Sequence, residues 1–191
     1  MGVTFYNGWL AGVKVIPSPN FSLRPDSGDI SLIVMHNISL PPGQYGTGAV
    51  PQFFQNRLDH AEHAYFETIK DLEVSAHFLI ERSGQVVQFV STYHRAWHAG
   101  RSSYQEREDC NDFSIGIELE GDDHGAFEAA QMDKLELLIR ALMSEHDAIK
   151  TESGLRIAGH SDIAPGRKTD PGPFFSWTEL SSRLGQKCIR E

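Results

Sequence analysis

Three side chains of this sequence, His36, His160 and Asp170, are of types that ligate zinc, and each stands where an apolar run meets a loop or lies in the loop beyond. Two imidazoles and one carboxylate leave a fourth coordination position open. That is the composition of a catalytic zinc site, because structural sites close on four ligands and usually include Cys. Nine residues separate His160 from Asp170 and no helical register joins them, so spacing alone does not bring the trio together. Taken singly, any one of the nine histidines is more often a surface or hydrogen-bonded core residue.

Glu118 stands among apolar neighbours, where a carboxylate is costly unless it is paired or used. Beside zinc it has a use, since the metal lowers the pKa of a bound water to about 7 and a carboxylate can then take the proton. The alternation of Ile115, Ile117 and Leu119 with Gly116, Glu118 and Glu120 fits equally well an edge strand that turns both glutamates to solvent. Lys168, two residues before Asp170, could stabilise an oxyanion or be an ordinary solvated loop lysine. Trp97 offers an aromatic face to a sugar, although Trp is more often core. These residue types lead as far as a zinc hydrolase and no further.

The elements that must position these residues are readable in outline. Ile30 to His36 is an apolar run suited to a buried strand, and Leu155 to His160 is a second short strand that ends on a histidine. Val74 to Ile80 and Gln85 to Val90, separated by Glu81-Arg82-Ser83-Gly84, predict a β-hairpin. Ile115 to Glu120 predicts a strand by its period of two. Met132, Leu135, Leu138, Ile139, Leu142 and Met143 recur at helical spacing and mark Glu128 to His146 as the longest helix. Pro51 to Leu58, Ala61 to Leu72 and Trp177 to Leu184 are shorter helix candidates. Ser39 to Gly48, rich in Pro and Gly, is a loop beside a strand end, a good place for a binding site, and loops of this kind at a groove can act as lids. Strands mixed with helices point to an α/β or α+β layer around one central sheet.

Composition bounds the rest. The 191 residues fit one domain with its own core. A formal charge of −9, from 17 Lys and Arg against 26 Asp and Glu, argues against nucleic acid as a partner. The two cysteines, Cys110 and Cys188, are too few for a disulfide framework and fit a reducing compartment. No basic-then-apolar leader and no run long enough to span a membrane is present, so a cytoplasmic location with no membrane contact is expected.

Five blocks then carry a resemblance: Val34-Met35-His36-Asn37-Ile38-Ser39-Leu40-Pro41-Pro42-Gly43, Val74-Ser75-Ala76-His77, Arg95-Ala96-Trp97-His98-Ala99-Gly100, Cys110 to Gly121, and Gly159 to Pro173. In this order they resemble the AmpD family, the zinc-dependent anhydro-N-acetylmuramyl-L-alanine amidases of cytoplasmic peptidoglycan recycling, from about Gly8 to Trp177. The resemblance implies a mixed sheet flanked by helices, the fold shared with peptidoglycan recognition proteins, forming one amidase domain over residues 1–191. It places zinc on His36, His160 and Asp170, makes Glu118 the residue that activates water and Lys168 the one that stabilises the oxyanion. Asn37, Trp97, Leu119 and Ala164, which adjoin or face these blocks, are the expected substrate-binding residues.

The implied reaction is hydrolysis of the amide between anhydro-N-acetylmuramic acid and L-alanine of a muropeptide, with no obligate protein partner. Two positions depart from the family pattern: Glu73 and Asp109 stand where arginines would meet the stem-peptide carboxylates, so Arg101 or Arg107 is expected to substitute. Rival readings are a binding module without catalysis, a lytic amidase acting on intact cell wall, and a structural protein with incidental histidines.

Overall fold

Strands made of near-continuous apolar residues must be covered on both faces, and two of them form the centre of this molecule. In the computed structural model, which describes residues 4–191, eight strands make one mixed sheet: β1 (Lys14–Val15), β2 (Leu32–Ile38), β3 (Phe78–Ile80), β4 (Val86–Gln88), β5 (Ser114–Glu120), β6 (Lys150–Thr151), β7 (Gly154–Gly159) and β8 (Cys188–Ile189). Their order is β6-β7-β2-β5-β3-β4-β1, with β8 beside β7. β7, β2, β5 and β3 are parallel neighbours, whereas β3 and β4 form the expected antiparallel hairpin. Five helices flank the sheet: α1 (Ala49–Phe54), α2 (Ala64–Thr68), α3 (Ala129–Glu145), α4 (His160–Ile163) and α5 (Trp177–Leu184). A central mixed sheet with flanking helices is the fold class the sequence predicts, and three two-stranded antiparallel ribbons lie outside it.

Successive side chains of a strand point to opposite faces, and that alternation divides structure from chemistry here. Ile33 and Met35 of β2 and Ile115, Ile117 and Leu119 of β5 join one core cluster with Leu135, Leu138, Ile139 and Leu142 of α3 and Leu180 and Leu184 of α5. Each such side chain contributes about 1.5–3 kcal/mol on burial, far more than helix propensity. The other face begins with Leu32, Val34 and Ala158, packed under Ala99, Tyr104, Cys110 and Phe113. Farther along it stand His36 and Glu118, direct partners in the β2–β5 register.

Several boundaries differ from the sequence reading. β2 continues to Ile38, so His36 lies within the strand, and His160 opens α4 instead of closing β7. α1 and α2 are shorter than expected; Asn56, at φ 57°, turns the chain out of helical geometry just past α1. The edge-strand reading of Glu118 and Glu120 is overturned, because β5 lies between β2 and β3 and both glutamates are buried. α3 is anchored at its start by Gln131, whose Oε1 accepts the Glu128 N–H while its Nε2 donates to the carbonyls of Ile80 and Glu120. Cys110 and Cys188 are both free and buried. Among the described residues no helix is long and apolar enough to cross a membrane.

Candidate metal centre and active site

The fold closes the gap that spacing left open. His36 Nδ1 on β2 and His160 Nδ1 at the start of α4 lie 3.0 Å apart, and Asp170 Oδ2 is 2.8 Å from the first and 3.0 Å from the second. Asp170 is brought back by its own carbonyl, which accepts the Ser161 N–H at 2.9 Å. The return also requires glycine at 159, since a Cβ there would sit 2.8 Å from Pro171 Cδ.

Each imidazole uses its other nitrogen elsewhere. His160 Nε2 donates to the Ala99 carbonyl at 3.0 Å, and His36 Nε2 lies 3.0 Å from His98 Nδ1. Burial pushes the His36 ring down to about 4, aided by His160 and opposed by Asp170, so it is neutral near pH 7. Burial pushes the Asp170 carboxyl up, but its contacts with His160 and His36 outweigh this and hold it below the ordinary carboxylate range. Two imidazole nitrogens and an anionic oxygen converging on one point, with the outer nitrogens committed, are a donor set for a divalent cation.

Glu118 meets the cavity beside this trio with an oxygen that nothing satisfies: Oε2 is buried and has no hydrogen-bond partner among the described residues. Burial and the neighbouring Asp170 raise its pKa well above the ordinary value, against the pull of Lys168. An unmade hydrogen bond of this kind costs about 1–3 kcal/mol, which a chain retains for chemistry. Glu120, two residues on and on the same face, is the contrast. Its Oε1 accepts the Gly46 N–H at 2.6 Å and its Oε2 the Arg82 N–H at 3.0 Å. Tyr45 OH adds a hydrogen bond of 2.8 Å to Asp122 Oδ2. The Ser39 to Gly48 loop is therefore tied at Tyr45 and Gly46 to residues 82 and 120–122, and does not hang as a free lid.

A groove of about 680 Å³ joins His36, Glu118, His160, Lys168 and Asp170 to Asn37 and Trp97. Asn37 Nδ2 donates to Asp123 Oδ1 at 2.8 Å, and Trp97 Nε1 lies 3.4 Å from Ser22 Oγ. Leu119 and Ala164 are not among the residues the structure brings to this groove. Strand alternation turns the Leu119 side chain into the core against α3, and Ala164 borders a separate depression with Arg101, Asp109 and Arg167. Among the described residues no arginine lines the groove: Arg101 borders the same separate depression as Ala164, and Arg107 pairs with Asp29 while stacking over the Phe113 ring at 3.7 Å. Sequence reasoning did not foresee the contact between His98 and His36; the position of His98 beside Trp97 was its one visible signal.

Buried neutral histidines make the metal-free protein acid-sensitive. Burial lowers His36 and His146 to about 4 and His77 and His98 well below the usual 6.5. Below pH 6.5 the unfolded chain binds protons at these four positions that the folded chain refuses, so stability is full above 6.5 and falls toward 4. Glu118 acts oppositely between 4.5 and its raised value, because there the folded state holds the extra proton. Four histidines against Glu118 and the partly exposed Glu81, whose carboxyl is also raised by burial and by Glu120, leave acid destabilisation in control, at up to about 1.4 kcal/mol per pH unit for each net proton and less for the part-screened His146 and Glu81. Urea midpoints of the chelated protein should therefore fall steadily from pH 7 to pH 5; a flat profile would contradict the assignment.

Comparison with known proteins places the geometry in context. The N-acetylmuramoyl-L-alanine amidase family model matches residues 26–173. The 1,6-anhydro-N-acetylmuramyl-L-alanine amidase AmpD of Citrobacter freundii is 51% identical over 184 residues, covering 96% of each chain. A crystal structure of a selenomethionyl AmpD derivative superposes with a TM-score of 0.90 at 48% identity, covering 95% of this chain and 99% of that one. The amidase AmiD of E. coli, in complex with the substrate anhydro-N-acetylmuramic acid-L-Ala-D-γ-Glu-L-Lys, superposes at 0.59 with 26% identity, over 95% of this chain and 65% of that one.

Proposed function

Since the chain belongs to the N-acetylmuramoyl-L-alanine amidase family, we propose that it is a zinc-dependent amidase acting on anhydromuropeptides in the cytoplasm. It cleaves the amide between the lactyl group of anhydro-N-acetylmuramic acid and L-alanine, as a single domain over residues 1–191. The observation that carries this reading is the unpartnered Glu118 oxygen, set in one groove with a converging His-His-Asp donor set.

His36 Nδ1, His160 Nδ1 and Asp170 Oδ2 would hold the metal, which when bound supplies a Lewis acid for the scissile carbonyl and a water of lowered pKa. Glu118 Oε2 takes the proton from the attacking water and passes it to the departing nitrogen of L-alanine, a cycle suited to a carboxyl whose pKa is raised. The Lys168 ammonium, which reaches the same groove, offsets negative charge on the carbonyl oxygen. Trp97 offers its ring to the sugar.

The test is mass spectrometry of products after zinc-loaded protein meets anhydromuramyl-tripeptide and, in parallel, intact cell-wall polymer. Free tripeptide from the small substrate alone is expected. Release from the polymer would make the protein a lytic enzyme, and no product from either would leave a binding module.

A further inference from the structure

The metal donors are held from behind by one short segment, and its arrangement bears on how the site keeps its shape. His98 is half-buried, with Nδ1 at 3.0 Å from His36 Nε2 and Nε2 at 3.2 Å from Ser114 Oγ. The carbonyl of the next residue, Ala99, accepts from His160 Nε2 at 3.0 Å and from Arg167 Nη2 at 2.7 Å. The segment is itself fixed by the buried Asn111, whose Oδ1 accepts both the His98 N–H at 3.1 Å and the Ala99 N–H at 2.8 Å. The His98 ring packs against β5 at Gly116, where a Cβ would come 2.5 Å from the ring.

From this we infer that His98 is a positioning residue for the metal centre: its Nδ1 accepts the His36 Nε2–H and so holds His36 in the tautomer that turns a lone pair on Nδ1 toward the cation. The protons then run in one direction, from His36 Nε2 to His98 Nδ1 and from His98 Nε2 to Ser114 Oγ. The Ala99 carbonyl does for His160 what the His98 ring does for His36, and Asn111 sets both at once. Partners of this kind behind metal-bound histidines are worth about 10–100-fold in metal affinity. The inference rests on the reading of His36, His160 and Asp170 as metal ligands.

The experiment measures zinc dissociation constants by chelator competition for the wild type and for His98→Phe, His98→Asn and Gly116→Ala. Phe keeps the ring shape and removes the acceptor, so zinc should bind about 10–100-fold more weakly. Asn can return an acceptor near the place of Nδ1 and should recover most of that loss. Gly116→Ala leaves every donor in place, drives a methyl into the His98 ring and should also weaken binding. In zinc-loaded wild type, nitrogen NMR shifts should show His98 with Nδ1 bare and Nε2 protonated, a reading that needs no variant to fold. Failure of the wild type to bind zinc would overturn the ligand assignment itself. Wild-type zinc binding matched by folded His98→Phe, no recovery in His98→Asn, or a protonated His98 Nδ1, would overturn the role of His98 alone.

Discussion

Glu118→Gln is expected to retain zinc and lose turnover, with kcat for anhydromuramyl-tripeptide lower by about 10²–10⁴-fold, the usual contribution of a positioned acid–base group. The amide has the size of the carboxyl but cannot accept and return a proton at Oε2. KM should change little, because the substitution removes an interaction of the transition state and leaves the groove its shape. Stability should hold, since the wild-type oxygen has no hydrogen bond to lose. Zinc content measured on the same preparation separates loss of the base from loss of the metal. A variant that turned over at the wild-type rate would remove Glu118 from the reaction.

Glu118 also shows where the sequence was legible and where it stopped. The apolar runs of β2 and β5, the β3–β4 hairpin and the stripe on α3 follow from local periodicity, and all are present. Which neighbours a strand acquires is decided by long-range pairing, and the period of two is the same at an edge as at the centre. The alternation around Glu118 therefore could not tell solvent from a buried cavity; the parallel register with His36 does. The family resemblance named His36, His160 and Asp170, which the fold brings together, but Leu119 was placed in the groove by adjacency to Glu118, and adjacency in a strand means the opposite face. Arg24 carried no signal at all. Its buried guanidinium donates to the carbonyls of Thr92, Asn111, Asp112 and Ser114, ordering the backbone beneath His98 from more than sixty residues away in sequence. Arg107 failed in the same way, since charge reads from composition while the Asp29 and Phe113 contacts that occupy it do not.

Removing the metal should have the largest effect of all, on activity and stability together. A Lewis acid is worth several kcal/mol to the reaction, and at about 1.4 kcal/mol per decade that is on the order of a thousandfold or more in rate. A cation that binds only the folded chain adds about 4 kcal/mol at a thousand times its Kd, and in a domain of this size each kcal/mol moves Tm by about 2–4 °C. Chelation should therefore lower Tm by about 8–16 °C, and added zinc should restore both Tm and turnover. Asp170→Ala separates this from a general effect of the chelator. It removes the anionic donor, leaves His36 and His160 with neutral lone pairs on each other at 3.0 Å, and should be inactive with a Tm that neither chelator nor equimolar zinc moves. Full activity in the chelated wild type would end the metal reading, whereas a Tm response to zinc that survived in Asp170→Ala would move the binding site elsewhere. The two readouts must fall together in the wild type and be lost together in the variant, because the same three atoms are asked to hold the fold's loops and the reaction's cation.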